Sequence, residues 1–462
     1  MFYNSRRQVD DLLENIRKTG KLDSISFGQK RDPCASFFQK LKTSFNVRRN
    51  NDPHILNVGV TISQNPSGLQ SLKKPGEFDP DHPKTLVVKT DNSRYKEIDR
   101  ETLEPMGIVS QKDLHPELKG SMSSAHPQYD PVNGDLFNYN LDFGASATYR
   151  IFKTSFKTGK TEILATIADK AVPAAYIHSL FLTEGFVVLA VWSSHFAGNG
   201  VKVLWERNLL DAITPFDSKA TTKWIVIDRR HGRGVVAKFE SPAMFSFHTV
   251  NAWQEPSERE GAVDLHCQLV QFPTIDILHR FYYENILSLG PGAPAYSSSE
   301  GVRRENVIPS LTRYKLASVP IGKSRVPEIK TFEKAEVVLS LRNPLIGELP
   351  TINPSYATKK SRYVYSLVDE GYSSWVDGIV KLDTETKEAT YWRQPKSTPG
   401  EPIFVQDPRR EGEDAGYLLS VMLDGVKGTS YLLCLDAKTM KETGRAECDM
   451  AVGMGFHGSH VA

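Results

Sequence analysis

The sequence predicts an all-β fold, and within that class a β-propeller. Three observations carry this reading. A hairpin unit of strand, Asp or polar turn, Thr/Lys/Gly cluster and strand recurs five times between Tyr95 and Lys441. Few helical patterns separate the copies. The chain has 462 residues, long for a compact two-layer domain, whereas radial repetition lets a core grow around an axis. A β-sandwich is the rival, but it rarely needs so many strands.

The first element is nevertheless a helix. Val9, Leu12, Leu13 and Ile16 recur at helical spacing, and Gly20 follows as a left-handed cap. A second short helix is expected at Pro33–Lys42, and residues 45–85 read as loop with one strand at Ile55–Ile62. The hairpins are Tyr95–Glu104, Tyr149–Ile163, Trp224–Val236, Val380–Ala389 and Leu432–Lys441. Each joins two β-rich runs through turn chemistry. Leu289–Ser299, rich in Gly, Pro and Ser, reads as a helix-poor surface or lid loop. No linker divides the chain, so residues 1–462 are expected to form a single domain.

Composition narrows the function classes. Lys and Arg number 57 against 55 Asp and Glu, a formal net charge of +2, which leaves no footprint for nucleic acid. No apolar run approaches the roughly 20 residues that span a bilayer. The first residues are not a secretory signal. Cys34, Cys267, Cys434 and Cys448 lack metal or redox spacing and read as reduced thiols of a cytoplasmic protein.

Four of the 12 histidines stand at the edges of apolar β runs: His126, His178, His248 and His457. Gaps of 52, 70 and 209 residues rule out a local metal motif. In a propeller, however, the inner ends of separate blades converge on the axis. Four neutral imidazoles meeting there would suit a divalent transition metal. The plain alternative is four unrelated edge histidines.

The phrases around these residues resemble the carotenoid cleavage oxygenase family. Those phrases are Leu114-His-Pro-Glu-Leu-Lys-Gly followed by Ala125-His-Pro, Phe247-His-Thr-Val-Asn-Ala-Trp253, and Gly455-Phe-His-Gly458. Gly347-Glu-Leu-Pro and Gly400-Glu-Pro-Ile-Phe are also similar. The resemblance extends over most of the chain. It implies a seven-bladed propeller with a helical and loop cap over an axial Fe(2+). His126, His178, His248 and His457 would be the ligands, and Glu348 and Glu401 would hold the outer N–H of two rings. The third such carboxylate aligns best with Thr90, a departure from the family. Asp91 is one residue away, and on a strand would point to the opposite face. His266 and His115 are read as structural.

The resemblance implies cleavage of a C=C bond by O2 into two carbonyl products. The phrases Arg31–Phe38 and Phe137–Phe143 look like the fungal branch, which includes carotenoid, apocarotenoid and stilbene cleavers. A carotenoid or apocarotenoid is the expected substrate and a resveratrol-type stilbene the alternative, beside an impaired member that only binds hydrophobic ligands. Phe247 matches a cavity-lining position, with Phe181 and Trp253 as further candidates. Lys89 is read as a solvent-facing strand-end residue, or in a stilbene cleaver as the partner of a phenolic oxygen. A substrate drawn from lipid implies peripheral membrane contact. Family members carry a Gly-Pro-Asn-type phrase and an Asp-Gly-Asp-Gly-like segment ahead of the first helix. Neither is present here, so N-terminal strands are expected to be missing, as from a truncated gene model or an isoform, with ring closure in question.

Overall fold

A computed structural model of the chain describes residues 4–20, 22, 24–30, 52–69, 86–288, 290–298, 300–324, 327, 329–373 and 375–460. The first helix, α1 (Asp10–Thr19), forms as its periodicity predicts. Asp10 and Asp11 lie in its first turn, Arg17 and Lys18 in its last, and Gly20 ends it at φ 66°. The helix expected at Pro33–Lys42 lies outside the described residues.

The strands make six sheets, antiparallel except for one short pairing in the third, and each is built largely from consecutive strands. The first holds β1 (Thr61–Gln64), β2 (Leu86–Lys89), β3 (Arg94–Ile98) and β4 (Pro105–Ser110). The second holds β5 (Met122–Ser123), β6 (Gln128–Tyr129), β7 (Leu136–Asp142), β8 (Thr148–Thr154) and β9 (Thr161–Ile167). In the third are β10 (Phe181–Leu182), β11 (Phe186–Val191), β12 (Thr221–Asp228) and β13 (Val235–Pro242). The fourth contains β14 (Thr249–Pro256), β15 (Ala262–Gln271) and β16 (Ser310–Pro320). Later residues add β17 (Glu333–Lys334) in parallel to β13 and β18 (Glu336–Arg342) to β16. The fifth is β19 (Glu348–Thr351), β20 (Tyr363–Val368), β21 (Gly378–Asp383) and β22 (Ala389–Arg393). The sixth is β23 (Ser397–Pro399), β24 (Ile403–Gln406), β25 (Gly416–Asp424), β26 (Thr429–Asp436) and β27 (Glu442–Glu447).

All five expected hairpins are present: β3–β4, β8–β9, β12–β13, β21–β22 and β26–β27. The seven blades implied by the resemblance are not found. Six sheets use the chain from Thr61 to Glu447, and the described residues outside that span form no further sheet. Within the expected loop Leu289–Ser299, Pro294–Ser297 makes one helical turn with proline at its start.

The first strands of successive sheets line up around an axis: β6 lies beside β10, β10 beside β14 and β14 beside β19. The Thr61 hydroxyl donates to the Ala125 carbonyl and ties the first sheet to the second. Sheets in the middle of this sequence are covered on both faces. This explains why β11, Phe-Val-Val-Leu-Ala-Val, is apolar and buried throughout and does not alternate. The main core joins it to β12, to Trp192 and Trp224, and to Phe245 and Phe272.

Gly347 shows how closely the strands approach at the axis. A Cβ there would lie 1.6 Å from the Leu367 carbonyl oxygen. Gly347→Ala is expected to destabilise the fold by more than about 3 kcal/mol, because backbone must move. Gly453→Ala, with open space around it, should stay within about 0.5 kcal/mol of wild type in urea unfolding.

Candidate metal centre

Each sheet presents one polar group at its axial end. Asp91 follows β2, His126 interrupts the first strand of the second sheet between β5 and β6, and His178 precedes β10. His248 stands immediately before β14, Glu348 opens β19, and Glu401 lies in the break between β23 and β24. His457 arrives on the segment after β27. Residues far apart in sequence meet because they occupy equivalent ends of repeated units.

The ligand atoms of His126, His178, His248 and His457 all lie within 4.8 Å of one another. His126 Nε2 is 3.1 Å and His248 Nε2 is 3.3 Å from His457 Nε2. Carboxylates hold the opposite nitrogens of three rings. His178 Nδ1 is 2.8 Å and 2.9 Å from the two Asp91 oxygens. His248 Nδ1 lies 2.5 Å from Glu348 Oε2, and His457 Nδ1 lies 2.9 Å from Glu401 Oε1. An ionised carboxylate only accepts, so each of these three rings carries its proton on Nδ1 and turns a lone pair inward at Nε2.

This arrangement fits a bound cation. The Nε2 atoms of His248 and His457 face each other with no proton between them, and only a positive charge makes that contact favourable. Imidazole nitrogens about 2.1 Å from a common ion and at right angles would be about 3.0 Å apart. Burial and the neighbouring rings hold His126 and His248 well below the ordinary histidine range, which keeps them neutral donors. Burial pushes Glu348 up to about 7, and its Oε1 is buried without a hydrogen-bond partner among the described residues. A cation among the rings favours the ionised form of that carboxylate.

The third carboxylate is Asp91, which corrects the alignment with Thr90. Burial alternates along this segment, with Lys89 and Asp91 inward and Thr90 between them half-buried. Asp91 therefore shares the inward face. Its oxygens also accept from the Ala125 N–H at 3.1 Å and the Tyr176 hydroxyl at 2.7 Å. Tyr176 and His178, two residues apart, thus reach the same carboxylate. No local spacing marks Asp91, because these two partners lie 85 and 87 residues away in the chain. Glu348 and Glu401 each meet a ring nitrogen, and each follows a glycine packed against backbone.

The candidate substrate residues divide. Phe247 packs at the cluster, its ring centroid 5.7 Å from that of His178. From it a line of rings continues: Phe247 to Phe281 at 5.5 Å, Phe281 to Trp375 at 5.5 Å, and Trp375 to Phe456 at 6.5 Å. Phe456 adjoins His457, so this aromatic arch begins and ends beside ligating histidines. Phe281, Trp375 and Phe456 were not singled out from the sequence, because isolated aromatics in loops carry no periodic signal. Phe181 is buried, its ring stacked on Trp224, and it borders a cavity of about 110 Å³ that none of the four histidines lines. Trp253 stacks on His266 in the fourth sheet and donates from Nε1 to Glu255. Neither joins the cluster. His266 lies 3.4 Å from Glu255 and His115 accepts from the Glu117 N–H at 3.3 Å, and neither belongs to the cluster.

Lys89 does not face solvent. It is buried, donates to Ser63 Oγ at 2.5 Å, and lines a cavity of about 170 Å³ with Tyr129, His126 and His457. Burial pushes its ammonium down to about 7. Among the described residues Cys267, Cys434 and Cys448 are free thiols.

Comparison with known proteins agrees with this geometry. The model of the retinal pigment epithelial membrane protein family matches residues 1–462. The chain belongs to this family. It is 46% identical to a carotenoid dioxygenase of Neurospora crassa, with all of this chain aligned to 78% of that protein. It is 42% identical to a torulene dioxygenase of Fusarium fujikuroi, with all of this chain aligned to 80% of that one. Among solved structures, a mutant of the Synechocystis apocarotenoid oxygenase superposes with a TM-score of 0.67. At 20% identity, 97% of this chain and 82% of that chain are covered, which establishes a shared fold.

Asp91→Asn is expected to weaken Co(II) or Fe(II) binding by about 10- to 100-fold in titrations of the metal-free protein. Thr90→Ala should leave the affinity unchanged.

Proposed function

We propose that the chain is a non-heme Fe(II) dioxygenase that cleaves one C=C bond of a carotenoid or apocarotenoid with O2, giving two carbonyl products. The convergence of four imidazole Nε2 atoms backed by carboxylates carries this reading. The full-length likeness to a carotenoid dioxygenase and a torulene dioxygenase supports the substrate class. His126, His178, His248 and His457 would hold the iron, and Asp91, Glu348 and Glu401 would keep three of the rings oriented. Bound iron(II) supplies the redox chemistry with O2 that an alkene alone lacks.

The protein's own part is positioning. The overall conversion of alkene and O2 into two carbonyls neither consumes nor releases a proton, so no acid–base pair is required. This suits a centre whose nearby carboxylates are all occupied by imidazole N–H groups. Phe247, Phe281 and Trp375, with the exposed Phe456 at the rim, give a polyene an apolar wall next to the metal. The short helices between β15 and β16, which contribute Phe281, would act as the cap, and residues 1–462 as one propeller unit.

A second reading rests on Lys89. A buried ammonium beside Tyr129 and two ligating histidines could meet the phenolic oxygen of a stilbene. Iron-loaded protein incubated under O2 with an apocarotenal is expected to yield two carbonyl products, and resveratrol none. Cleavage of resveratrol alone would favour the second reading. His248→Ala should lose both iron and activity, and metal-free wild-type protein that stays inactive after iron loading would sink both readings.

Among the described residues no helix is long and apolar enough to cross a membrane. Peripheral contact is proposed at Val201, Leu204, Tyr283, Ile286 and Leu287, all exposed. The Tyr282–Asp211 hydrogen bond joins the two segments that carry them. Co-sedimentation with phosphatidylcholine vesicles should drop on Ile286→Ser with Leu287→Ser. Protein that never leaves the supernatant would contradict the contact.

A further inference from the structure

The aromatic arch contains one group that the proposed cleavage does not use. Trp375 Nε1 is shielded from solvent and has no hydrogen-bond acceptor among the described residues. A buried N–H without an acceptor is unfavourable in water-excluded surroundings, so it calls for an explanation. Trp192 Nε1 is also without an acceptor, but it lies in the main core, against Trp224 and fully enclosed by sheet residues. Trp375 is different. It sits in the β20–β21 connection, half-buried, between Phe281 and Phe456 in the row of rings that begins at His178 and ends beside His457.

Its position is also held firmly. The Arg280 guanidinium lies 5.0 Å over the indole and donates to Asp369 at 3.2 Å. Arg304 donates to both Asp369 oxygens at 2.7 Å, and the Asn343 side chain donates to the Asp369 carbonyl at 2.9 Å. The indole is therefore anchored from behind by a charged network while its own donor is left unused. The guanidinium contact accounts for a large aromatic ring at this position but makes no use of the indole N–H.

We infer that Trp375 is a specificity-determining residue whose indole N–H donates to an oxygen atom carried by the substrate. The preferred substrate is then an oxygenated carotenoid, with a carbonyl or hydroxyl at one end, over a pure hydrocarbon. The hydrogen bond would fix how far the polyene slides along the arch and so which double bond lies at the metal. This inference rests on the carotenoid-cleaving function proposed above. A site that hydrogen-bonds a substrate oxygen discriminates against the analogue lacking it, because the donor is left unpaired.

The test is Trp375→Phe, which removes the N–H and keeps an aromatic ring. Iron-loaded wild type and variant are each given an apocarotenal and the hydrocarbon in which methyl replaces its aldehyde. The variant should lose about tenfold in kcat/KM on the aldehyde, mainly through KM, and lose nothing on the hydrocarbon. Retained hydrocarbon cleavage also reports that the variant is folded. A product mixture from cleavage at neighbouring double bonds of the aldehyde would support the sliding role. Equal loss on both substrates, or loss on neither, would overturn the inference. Anaerobic binding of the two compounds to both proteins gives a second readout. If wild type cleaves neither compound, the dioxygenase reading fails. Trp375 is then judged on binding alone, where an unchanged preference for the aldehyde would overturn the inference.

Discussion

The centre depends on one interaction, a carboxylate accepting the Nδ1–H of an imidazole, repeated three times. Asp91, Glu348 and Glu401 each decide which nitrogen of a histidine carries the proton and which way the ring turns. Without them, a buried ring could donate from either nitrogen, and four neutral rings crowded within 4.8 Å would turn to hydrogen-bond one another. With them, three lone pairs converge on one point, which is the arrangement a chelated cation needs. His126 has no such carboxylate among the described residues. Its orientation comes from the strand break it occupies, where its backbone N–H meets the Ser124 hydroxyl at 3.0 Å.

The propeller is the scaffold that makes this repetition cheap in sequence. Every sheet ends its inner strand at the axis, so one polar residue per sheet suffices. Close approach is the cost, and glycine meets it where carboxylates must be delivered. Gly347 precedes Glu348 and Gly400 precedes Glu401, and both glycines lie against neighbouring backbone oxygens. Packing of the middle sheets on both faces then fixes the inner ends against one another. Above the centre, the aromatic arch belongs to loops and short helices. Its placement relies on charged anchors such as Asp369 and not on strand pairing.

Much of this was legible in the sequence, for identifiable reasons. The five hairpins were readable because Asp-turn chemistry between β-branched runs is local. The four histidines were readable because each stands at the edge of an apolar run. The number of sheets was not, since it came from a resemblance and not from a count of strands, and six are found where seven were expected. Asp91 was obscured by an alignment one residue out of place, which inverted the inferred face. Phe181 and Trp253 neighbour ligands in sequence, but strand geometry turns their rings onto Trp224 and His266 and away from the histidine cluster. Lys89 looked exposed because lysine at a strand end normally is, whereas here the strand end is the inside of the ring.

Fe K-edge X-ray absorption on the iron(II)-loaded protein tests the central claim most directly. The account predicts four imidazole nitrogens about 2.1 Å from the metal, a distance typical of histidine ligation, with no carboxylate of the protein bound to it. The same spectrum should persist in the variant Asp91→Asn once it is saturated with metal. A first coordination sphere that contains Asp91, Glu348 or Glu401 oxygen, or fewer than four imidazoles, would contradict the account, because the carboxylates would then be ligands and not the groups that orient them.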